Sequence, residues 1–386
     1  MRILHITDAS SAGVLTSVAT LARAQSASEL FGPVTFAYVC RVDTPRPQDI
    51  QRLLGPRVIL RQWSSSTGVA RLPALSYQLV RSLLSEHYDV IHCHSSRAGF
   101  IGRMAAKLTG NGDQIVYSPH CFAFARNDLS TLQKALYLML ERAATRMSAK
   151  VVVVSNSEAA IARKALPHAH ISVLPNAVDN ASLAEFLHRQ MAAANNTPTG
   201  GSPRTRRVIH IGRIAEQKAP SLFSAAVQAI DNDFTSNHHG ELEVMWLGDG
   251  KRFLLHDYRG RIRVSGWLTP ERLREEIARA DVLLFTSRGE GMPLALLEAQ
   301  GLGVPIVASK VAGVTDVVRH GETGYLASSA EELGRYVTGL LVDERRLQRM
   351  SRASLARSRM LFDTRDLALR SMEAYVSHPR DQGGRS

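Results

Sequence analysis

Residues 281–298 of this chain read Asp-Val-Leu-Leu-Phe-Thr-Ser-Arg-Gly-Glu-Gly-Met-Pro-Leu-Ala-Leu-Leu-Glu. The run from Val282 to Phe285 is continuously apolar, which is typical of a parallel strand buried on both faces. After a glycine-flanked turn, Pro293 suits the first turn of a helix, and Leu294 and Leu297 follow at helical spacing. A buried strand that leads through a tight turn into a helix predicts an open parallel α/β sheet.

The same stretch carries two carboxylates, Glu290 and Glu298, eight positions apart. Glu290 follows the carboxyl end of the strand, where open α/β sheets bind ligands, and Glu298 lies over a turn into the helix. A carboxylate accepts hydrogen bonds from sugar hydroxyls, and a helix N-terminus favours a phosphate. The segment therefore predicts a nucleotide-sugar site. The alternative is a loop acid and a solvated helix acid without a joint function.

The rest of the first half alternates short apolar runs with helical patterns, as expected of βα units. The predicted strands are Met1–Thr7, Val34–Cys40, Arg57–Leu60, Asp89–His94, Gln114–Ser118 and Lys150–Ser155. The predicted helices are Leu15–Ala24, Leu72–Glu86, Ala98–Leu108 and Leu129–Ser148. This half predicts a Rossmann-like domain of its own.

The second half repeats the scheme. Its predicted strands are Arg207–Ile211, Glu243–Leu247, Arg261–Ser265, Val282–Thr286 and Pro305–Ala308, with helices at Leu222–Ile230, Pro270–Arg279 and Glu331–Leu341. The polar, broken stretch Asn195–Pro203 predicts a linker or mobile loop. We expect a first domain at 1–178, a second at 179–360, and a last helix with a disordered tail at 361–386. The fold class is α/β, with two doubly wound domains facing a central cleft.

Composition narrows the classes of protein. Of the 386 residues, 45 % are hydrophobic and 21 % are charged, which is typical of a soluble globular protein. No run of about 18 apolar residues predicts a bilayer span, and the N-terminal residues lack a secretory signal. We therefore expect a cytoplasmic protein.

The formal net charge is +12, and the excess lies in the first half. Residues 1–178 contain 19 basic and 10 acidic residues, whereas the remainder contains 28 basic and 25 acidic residues. This bias favours an anionic membrane surface as partner, at the inner face of the cytoplasmic membrane. A codon effect is the alternative, because 40 of the 47 basic residues are arginine. No nucleic-acid partner is expected, because no aromatic-basic RNA motif or basic recognition helix is present.

The three cysteines and the His92-Cys93-His94 triplet do not predict a metal site. Cys40, Cys93 and Cys121 have no close pair in sequence. On a strand, His92 and His94 face one way and Cys93 the other, so the three side chains cannot converge on one ion.

A second candidate segment is Gly212-Arg213-Ile214-Ala215-Glu216-Gln217-Lys218, which follows a predicted strand. Arg213 supplies a forked donor and Lys218 a compact charge, and together they would stabilise a departing diphosphate. The alternative is a pair of solvated cations at a helix start.

Glu-x7-Glu with Gly-Met-Pro-Leu inside it, together with Gly-Arg-x4-Lys, resembles the donor signature of the retaining glycosyltransferases of family 4, which are two-domain enzymes of the GT-B type. The resemblance implies that Arg213 and Lys218 contact the diphosphate, Glu298 the ribose hydroxyls and Glu290 the donor sugar. It also implies that the backbone around Gly291, Met292, Pro293 and Leu294 approaches the sugar and phosphate, although Pro293 has no N–H to donate.

Smaller motifs fit the same resemblance. Gly248, in Gly-Asp-Gly, and Trp267-Leu268 follow strands where the family receives the nucleotide base, although either motif is also compatible with a plain tight turn. Gly13 opens a helix where its backbone can approach a phosphate. Family members usually have two glycines here, whereas this chain has Ala12-Gly13.

Two further segments, starting at His92 and at Tyr117, resemble those of family 4 enzymes that build bacterial surface polysaccharides. His120 matches the histidine that these enzymes place near the donor sugar and acceptor, while a structural role in its loop is the alternative. Phe122 and Phe124 are either an apolar floor for the acceptor or ordinary core.

The resulting interpretation is a retaining glycosyltransferase that needs no cofactor or metal, with His120 and Glu290 as catalytic residues. It moves a sugar from a UDP- or GDP-linked donor to a lipid-linked saccharide in surface polysaccharide biosynthesis. Two other interpretations stay open: a GT-B nucleotide-sugar epimerase, and a non-catalytic nucleotide-sugar-binding protein.

Overall fold

The computed structural model describes residues 1–8, 12–41, 44–64, 71–126, 129–147, 150–194, 205–237, 241–256 and 260–376. The predicted linker at Asn195–Pro203 and the predicted tail at Asp381–Ser386 lie outside these residues. The chain forms two compact units. The first contains Met1–Ala177 and the segment from Thr364 onward, and the second contains Val178–Asp363.

The first unit is built on a seven-stranded parallel sheet of order β3-β2-β1-β4-β5-β6-β7. Its strands are β1 (Ile3–Thr7), β2 (Val34–Val39), β3 (Ile59–Ser64), β4 (Val90–His94), β5 (Ile115–Ser118), β6 (Lys150–Val153) and β7 (Ile171–Val173). Its helices are α1 (Ala12–Ala27), α2 (Pro47–Leu54), α3 (Arg71–Ser85), α4 (Ser96–Leu108), α5 (Thr131–Thr145) and α6 (Asn156–Ala165).

Apolar side chains cover both faces of this sheet. Alternate residues of the central strands pack into two different clusters, with Ile3 in one and Leu4 in the other. The last helix of the described chain, α14 (Leu367–Val376), contributes Leu367 and Tyr375 to the cluster that contains Ile3. Burial on both faces explains the continuous apolar runs in the sequence.

The second unit has a six-stranded parallel sheet of order β10-β9-β8-β11-β12-β13. Its strands are β8 (Arg206–Ile211), β9 (Leu242–Leu247), β10 (Ile262–Val264), β11 (Val282–Phe285), β12 (Ile306–Ser309) and β13 (Gly324–Ala327). Its helices are α7 (Asn180–Ala194), α8 (Pro220–Asn237), α9 (Pro270–Ala278), α10 (Leu294–Gly301), α11 (Val314–Val317), α12 (Ala330–Val342) and α13 (Glu344–Leu361).

The prediction of two parallel α/β sheets is confirmed, and the errors among the strands lie mainly at sheet edges. β3 begins and ends later than the predicted Arg57–Leu60, and β7 and β13 were not predicted. All three are edge strands, which tolerate polar residues and therefore lack the apolar run of a central strand. Pro293 is the residue before α10 rather than part of its first turn. Among the described residues, no helix is both long and apolar enough to cross a bilayer.

Candidate functional site

In the second unit, the loop after β11 and the 3₁₀ turn after β8 are joined through Lys218 and Glu290. Lys218 Nζ lies 2.7 Å from Glu290 Oε1, and Ser287 Oγ donates to the same oxygen at 2.7 Å. The Lys218 and Glu290 side chains are only 18 % and 10 % exposed. Lys218, which is predicted to contact the diphosphate, and Glu290, which is predicted to contact the sugar, are therefore in direct contact with each other.

Hydrogen bonds from backbone and side-chain donors hold these two loops in place. Arg288 N–H donates to the Gln217 carbonyl at 2.8 Å, and Gln217 Nε2 donates to the Gly289 carbonyl at 3.0 Å. Thr286 Oγ1 donates to the Lys218 carbonyl at 2.9 Å. Because the contacts run in both directions, the position of Lys218 depends on the fold of the Glu290 loop.

Gly313 determines how closely the Glu290 loop packs. Its φ of +78° favours glycine, and a Cβ there would lie 2.3 Å from the Gly291 carbonyl oxygen and 2.5 Å from that of Glu290. Glu290 N–H also donates to the Ala312 carbonyl at 3.3 Å. The Gly291-Met292-Pro293 backbone is consequently buried against the loop that follows β12.

Helix α10 begins at Leu294, and no side chain caps its N-terminus, where Pro293 is the N-cap residue. An uncapped helix start is suited to bind an anion. Glu298 lies one turn into the helix and is half-buried. Burial raises the pKa of its carboxyl group, and the positive charge of Arg274 opposes this effect.

The predicted base-binding residues lie next to the Arg213 loop. Gly248 and Gly266 form an antiparallel bridge, and Ile214 and Gly250 form a parallel one. A Cβ on Gly248 would lie 2.2 Å from the Gly212 carbonyl oxygen, so only glycine allows this approach. Beyond Gly266, the Trp267 side chain is 65 % exposed and Leu268 is half-buried. The exposed Trp267 ring is available for stacking.

The first unit contains a pocket at the carboxyl ends of β4, β5 and β6. It is lined by Ser17, Val18, Leu21, His92, His94, Ser118, His120, Val152, Val154, Leu174, Pro175, Asn176, Ala177 and Leu367. Ser17 Oγ donates to Asn176 Oδ1 at 2.6 Å. The pocket therefore combines an apolar wall with histidine and amide groups. Gly13, in the first turn of α1, has open space where a Cβ would lie.

The loop that carries His120 has strained backbone. His120 and Cys121 have φ values of +55° and +109°, a region that non-glycine residues rarely adopt. Glu158 stabilises this conformation, because its carboxylate accepts from the Cys121 N–H at 2.8 Å and the Val154 N–H at 3.0 Å. Such strain clusters at functional sites.

Four histidines contact one another in this unit. His120 Nε2 lies 3.0 Å from His94 Nδ1, and His94 Nε2 lies 3.0 Å from His5 Nδ1. The His92 and His94 ring centroids are 4.0 Å apart. Burial lowers the pKa of His5 and of His120 to about 4, and it holds those of His92 and His94 well below the usual value. All four rings are therefore neutral near pH 7.

One nitrogen each of His5, His92 and His94 lies within 4.8 Å of the others, a spacing that a metal ion could bridge. These nitrogens are already engaged in hydrogen bonds, since His5 Nδ1 bonds His94 and His92 bonds both Tyr375 and Ser118. The contacts favour a hydrogen-bonded cluster. The absence of a metal cofactor stays a prediction.

In the second unit, the structure brings the predicted donor residues Lys218 and Glu290 into contact. Gly13 and His120 lie in the first unit, where His120 is surrounded by residues that the sequence did not single out. His5, Gln25 and Tyr375 were missed. The signal available was His5 itself, since pairing of β1 with β4 aligns His5 with His92. Phe122 is buried core, and Phe124 packs against it.

Comparison with known proteins matches most of the chain to two families. Residues 11–182 match the family described as Glycosyltransferase Family 4, and residues 205–343 match Glycosyl transferases group 1. An Escherichia coli protein named UDP-Gal:alpha-D-GlcNAc-diphosphoundecaprenol alpha-1,3-galactosyltransferase is 28 % identical over 71 % of this chain and 71 % of its own length. An uncharacterized 41.2 kDa protein in the cps region of Klebsiella pneumoniae is 30 % identical over 68 % of this chain and 72 % of its own.

Two solved structures show the same fold. Anabaena HepE in complex with UDP and glucose superposes with a TM-score of 0.74 at 17 % identity, covering 98 % of this chain and all of that one. The apo form of the lipopolysaccharide outer core galactosyltransferase WaaB superposes with a TM-score of 0.67 at 18 % identity, covering 97 % and 99 %.

Proposed function

This chain belongs to glycosyltransferase family 4 and has the GT-B fold, and we propose that it transfers a sugar from a nucleotide sugar to a lipid-linked saccharide in bacterial surface polysaccharide synthesis. The observation that carries the proposal is the largely buried Lys218–Glu290 pair, which presents a cation and a carboxylate together at the strand ends. The name of the E. coli relative specifies a UDP-linked donor and a diphosphoundecaprenol-linked acceptor, which supports both substrate classes.

Each donor residue has a role that its position supports. Lys218 can donate to a ligand as well as to Glu290, because its ammonium group has three N–H donors. With Arg213 and the start of α10 it would stabilise the diphosphate without a metal ion. Glu298 would accept from the ribose hydroxyls, and the exposed Trp267 would lie against the base. We expect the transfer rate to persist when EDTA is added.

We propose retention of anomeric configuration by front-face attack. The acceptor hydroxyl forms its bond to the anomeric carbon on the face from which the diphosphate departs, and a phosphate oxygen takes the hydroxyl proton. Glu290 is ion-paired and hydrogen-bonded, so it is suited to orient a sugar hydroxyl rather than to attack. Capture of a covalent glycosyl-enzyme on Glu290 would contradict this mechanism.

The test uses UDP-galactose, UDP-glucose and GDP-mannose with a GlcNAc-diphospholipid acceptor. We expect nucleotide diphosphate to be released only when the acceptor is present, and release to fall at least about 100-fold in Glu290→Gln and His120→Ala. The matched controls are Glu185→Gln and His168→Ala, which change the same residue types at exposed positions. An epimerised nucleotide sugar without acceptor would indicate the epimerase, and binding without turnover would indicate a binding protein.

We also propose that α3, α4 and α5 bind an anionic membrane surface. These helices expose an unusual number of large apolar side chains: Tyr77, Leu84, Phe100, Met104, Leu108, Leu132, Leu136, Tyr137, Met139 and Leu140. On α5 they follow one another at helical spacing, with Leu132 81 % exposed. Patches of this kind mark a membrane or protein interface.

The charges on these helices support an anionic membrane as the partner of this surface. Glu141 is the only acidic residue in their sequences, and its carboxylate is buried against Arg103. Arg81, Arg97, Lys107 and Arg142 are exposed around the apolar side chains. Exposed apolar side chains that are flanked only by cations match a membrane, because the apolar groups can enter the acyl layer while the cations contact anionic headgroups.

Vesicle cosedimentation tests this surface. We expect the wild type to bind phosphatidylglycerol vesicles and to be released by salt, and Leu136→Gln with Met139→Gln to weaken binding at least about tenfold. Met360→Gln is the matched control, since Met360 is 73 % exposed on α13. Unchanged vesicle binding in the double variant would contradict the proposal. A dimer that light scattering detects in the wild type but not in the double variant would also contradict it, because this surface would then bind a second copy of the chain.

A further inference from the structure

A hydrogen-bonded series of side chains runs from His120 into the first unit, and we call it the histidine chain: His120, His94, His5 and Gln25. Besides the two histidine contacts of 3.0 Å, His5 Nε2 lies 2.7 Å from Gln25 Oε1. Three of the four side chains, His94, His5 and Gln25, are buried, with at most 1 % of their surface exposed. Among the described residues, His94 is the only hydrogen-bond partner of the His120 ring.

The direction of these hydrogen bonds is determined at the far end by α14. Ser371 Oγ donates to the Ala368 carbonyl at 2.7 Å, so toward Gln25 it acts as acceptor. The Gln25 amide donates to Ser371 Oγ and to the Tyr375 hydroxyl, each at 3.0 Å. Both amide hydrogens are used on α14, so the amide oxygen faces His5.

His92 independently supports this orientation of Gln25. Ser118 Oγ donates to the Val152 carbonyl at 2.6 Å, so it accepts from His92 Nε2–H at 2.8 Å. His92 Nδ1 is then an acceptor, and it receives the Tyr375 hydroxyl proton at 2.9 Å. The Tyr375 hydroxyl can therefore only accept from Gln25, which agrees with the Gln25 amide donating toward α14.

The tautomers of the chain follow one from the next, because a neutral imidazole has one donor and one acceptor nitrogen. His5 donates from Nε2 to Gln25, so its Nδ1 accepts from His94 Nε2–H. The remaining His94 Nδ1 accepts from His120 Nε2–H. His120 is left with an unprotonated Nδ1, which is able to accept a proton or a hydrogen bond.

We propose that His94, His5 and Gln25 are positioning residues that hold His120 as its Nε2–H tautomer, so that His120 Nδ1 accepts a hydrogen bond from a substrate hydroxyl. The histidine chain ends in the Gln25 amide, which neither gains nor loses a proton near neutral pH. The histidine chain therefore sets the tautomer of His120 and does not conduct protons. The low pKa values keep the rings neutral, as the series requires. The role at the substrate rests on the proposed function.

Gln25→Glu is the decisive variant because it keeps the shape of the side chain and replaces the neutral amide beside His5 with a carboxylic acid. A buried carboxylate beside His5 favours the doubly protonated His5 ring, whose Nδ1–H then donates to His94. His94 would donate from Nδ1 to His120 Nε2, and His120 would carry its proton on Nδ1. Gln25→Met removes the polar end altogether, so both His120 tautomers should become populated.

The tautomer is read by long-range 1H–15N NMR of protein labelled at histidine, with His120 assigned from a His120→Asn variant. This readout needs no substrate, so it stands even if no donor is turned over. We expect Nε2–H in the wild type, Nδ1–H in Gln25→Glu and a mixture in Gln25→Met. Gln51→Glu is the matched control, since the Gln51 side-chain amide donates to the Gly55 and Val58 carbonyls, and the change should leave His120 unchanged.

The kinetic arm measures turnover of UDP-galactose with the GlcNAc-diphospholipid acceptor. We expect kcat to fall about 10- to 100-fold in Gln25→Glu, as for other residues that orient a functional histidine, with the KM for the donor nearly unchanged. An Nδ1–H tautomer in the wild type would overturn the proposal. So would a loss of kcat in Gln25→Glu without a change of tautomer, because that would indicate a merely structural role.

Discussion

Lys218 and Glu290 lie 72 positions apart in sequence, yet their side chains form an ion pair of 2.7 Å. The Lys218 ammonium also lies 4.7 Å from the centre of the Phe285 ring. The Lys218 ammonium is therefore held between a carboxylate and an aromatic face. This arrangement limits its motion and, under the proposed function, prepares it for an anionic ligand.

The Lys218–Glu290 pair should show energetic coupling. Lys218→Met leaves a mostly buried carboxylate without its cation, so the free energy of unfolding should fall by about 1–3 kcal/mol. Adding Glu290→Gln should recover part of the loss, which urea unfolding of the single and double variants will measure. Arg252→Met, in an exposed pair with Asp249, is the control with a smaller effect. Strict additivity would show that the pair is not coupled.

Gly313→Ala should displace the Glu290 loop. The added methyl group would press on the Gly291 and Glu290 carbonyl oxygens at a φ that alanine adopts with strain. We expect UDP affinity, measured by calorimetry, to fall about tenfold, equivalent to about 1.4 kcal/mol. Gly339→Ala, in α12 with open space around it, should instead stabilise the fold by about 0.5–1 kcal/mol. Equal UDP affinities would refute the role of Gly313.

Arg103→Met should destabilise the first unit strongly. Arg103 Nη2 pairs with Glu141 Oε2 at 2.9 Å between α4 and α5, and Tyr117 donates to the other oxygen. Removing one partner leaves a buried charge without compensation, so the free energy of unfolding should fall by about 3–5 kcal/mol. Arg103→Met combined with Glu141→Leu should be more stable than the single variant in thermal unfolding. A combined variant as unstable as the single one would show that packing, not charge, dominates.

Stability should fall with acid below about pH 6.5. The pKa of His5 and of His120 is lowered to about 4, and that of His210 to about 3, from an ordinary value of 6.5. The unfolded chain binds protons first in this window, so each such histidine lowers the free energy of unfolding by about 1.4 kcal/mol per pH unit. Urea midpoints between about pH 7.5 and pH 4.5 test this.

The matched variants for the acid effect are His210→Phe and His168→Gln. His210 packs 3.8 Å from the centre of the Trp246 ring, so Phe keeps the aromatic packing while removing the titrating group. His210→Phe should flatten the pH dependence, whereas the exposed His168 should leave it unchanged. A midpoint independent of pH across this window would contradict the burial of neutral histidines.

Local patterns carried most of the fold. The apolar runs of β1, β4, β8 and β11 predicted central parallel strands because both of their faces are buried. Edge strands β7 and β13 escaped prediction because one side of each lacks a partner strand and a continuous apolar run is not required. Residues of one motif, such as Glu290 and Glu298, could be predicted together because a turn and a helix fix their spacing.

By itself, the sequence predicted two parallel α/β sheets and singled out the segments around Arg213, Lys218 and Glu290 as candidates for donor binding, since each prediction rests on a pattern within a few residues. Only the tertiary structure decided that Lys218 pairs with Glu290 and that hydrogen bonds connect His120 through His94 and His5 to Gln25. The β1–β4 register sets His5 beside His92, and α14 brings Tyr375 to Gln25 across 350 positions. Such contacts depend on strand order and helix docking, which no local pattern encodes.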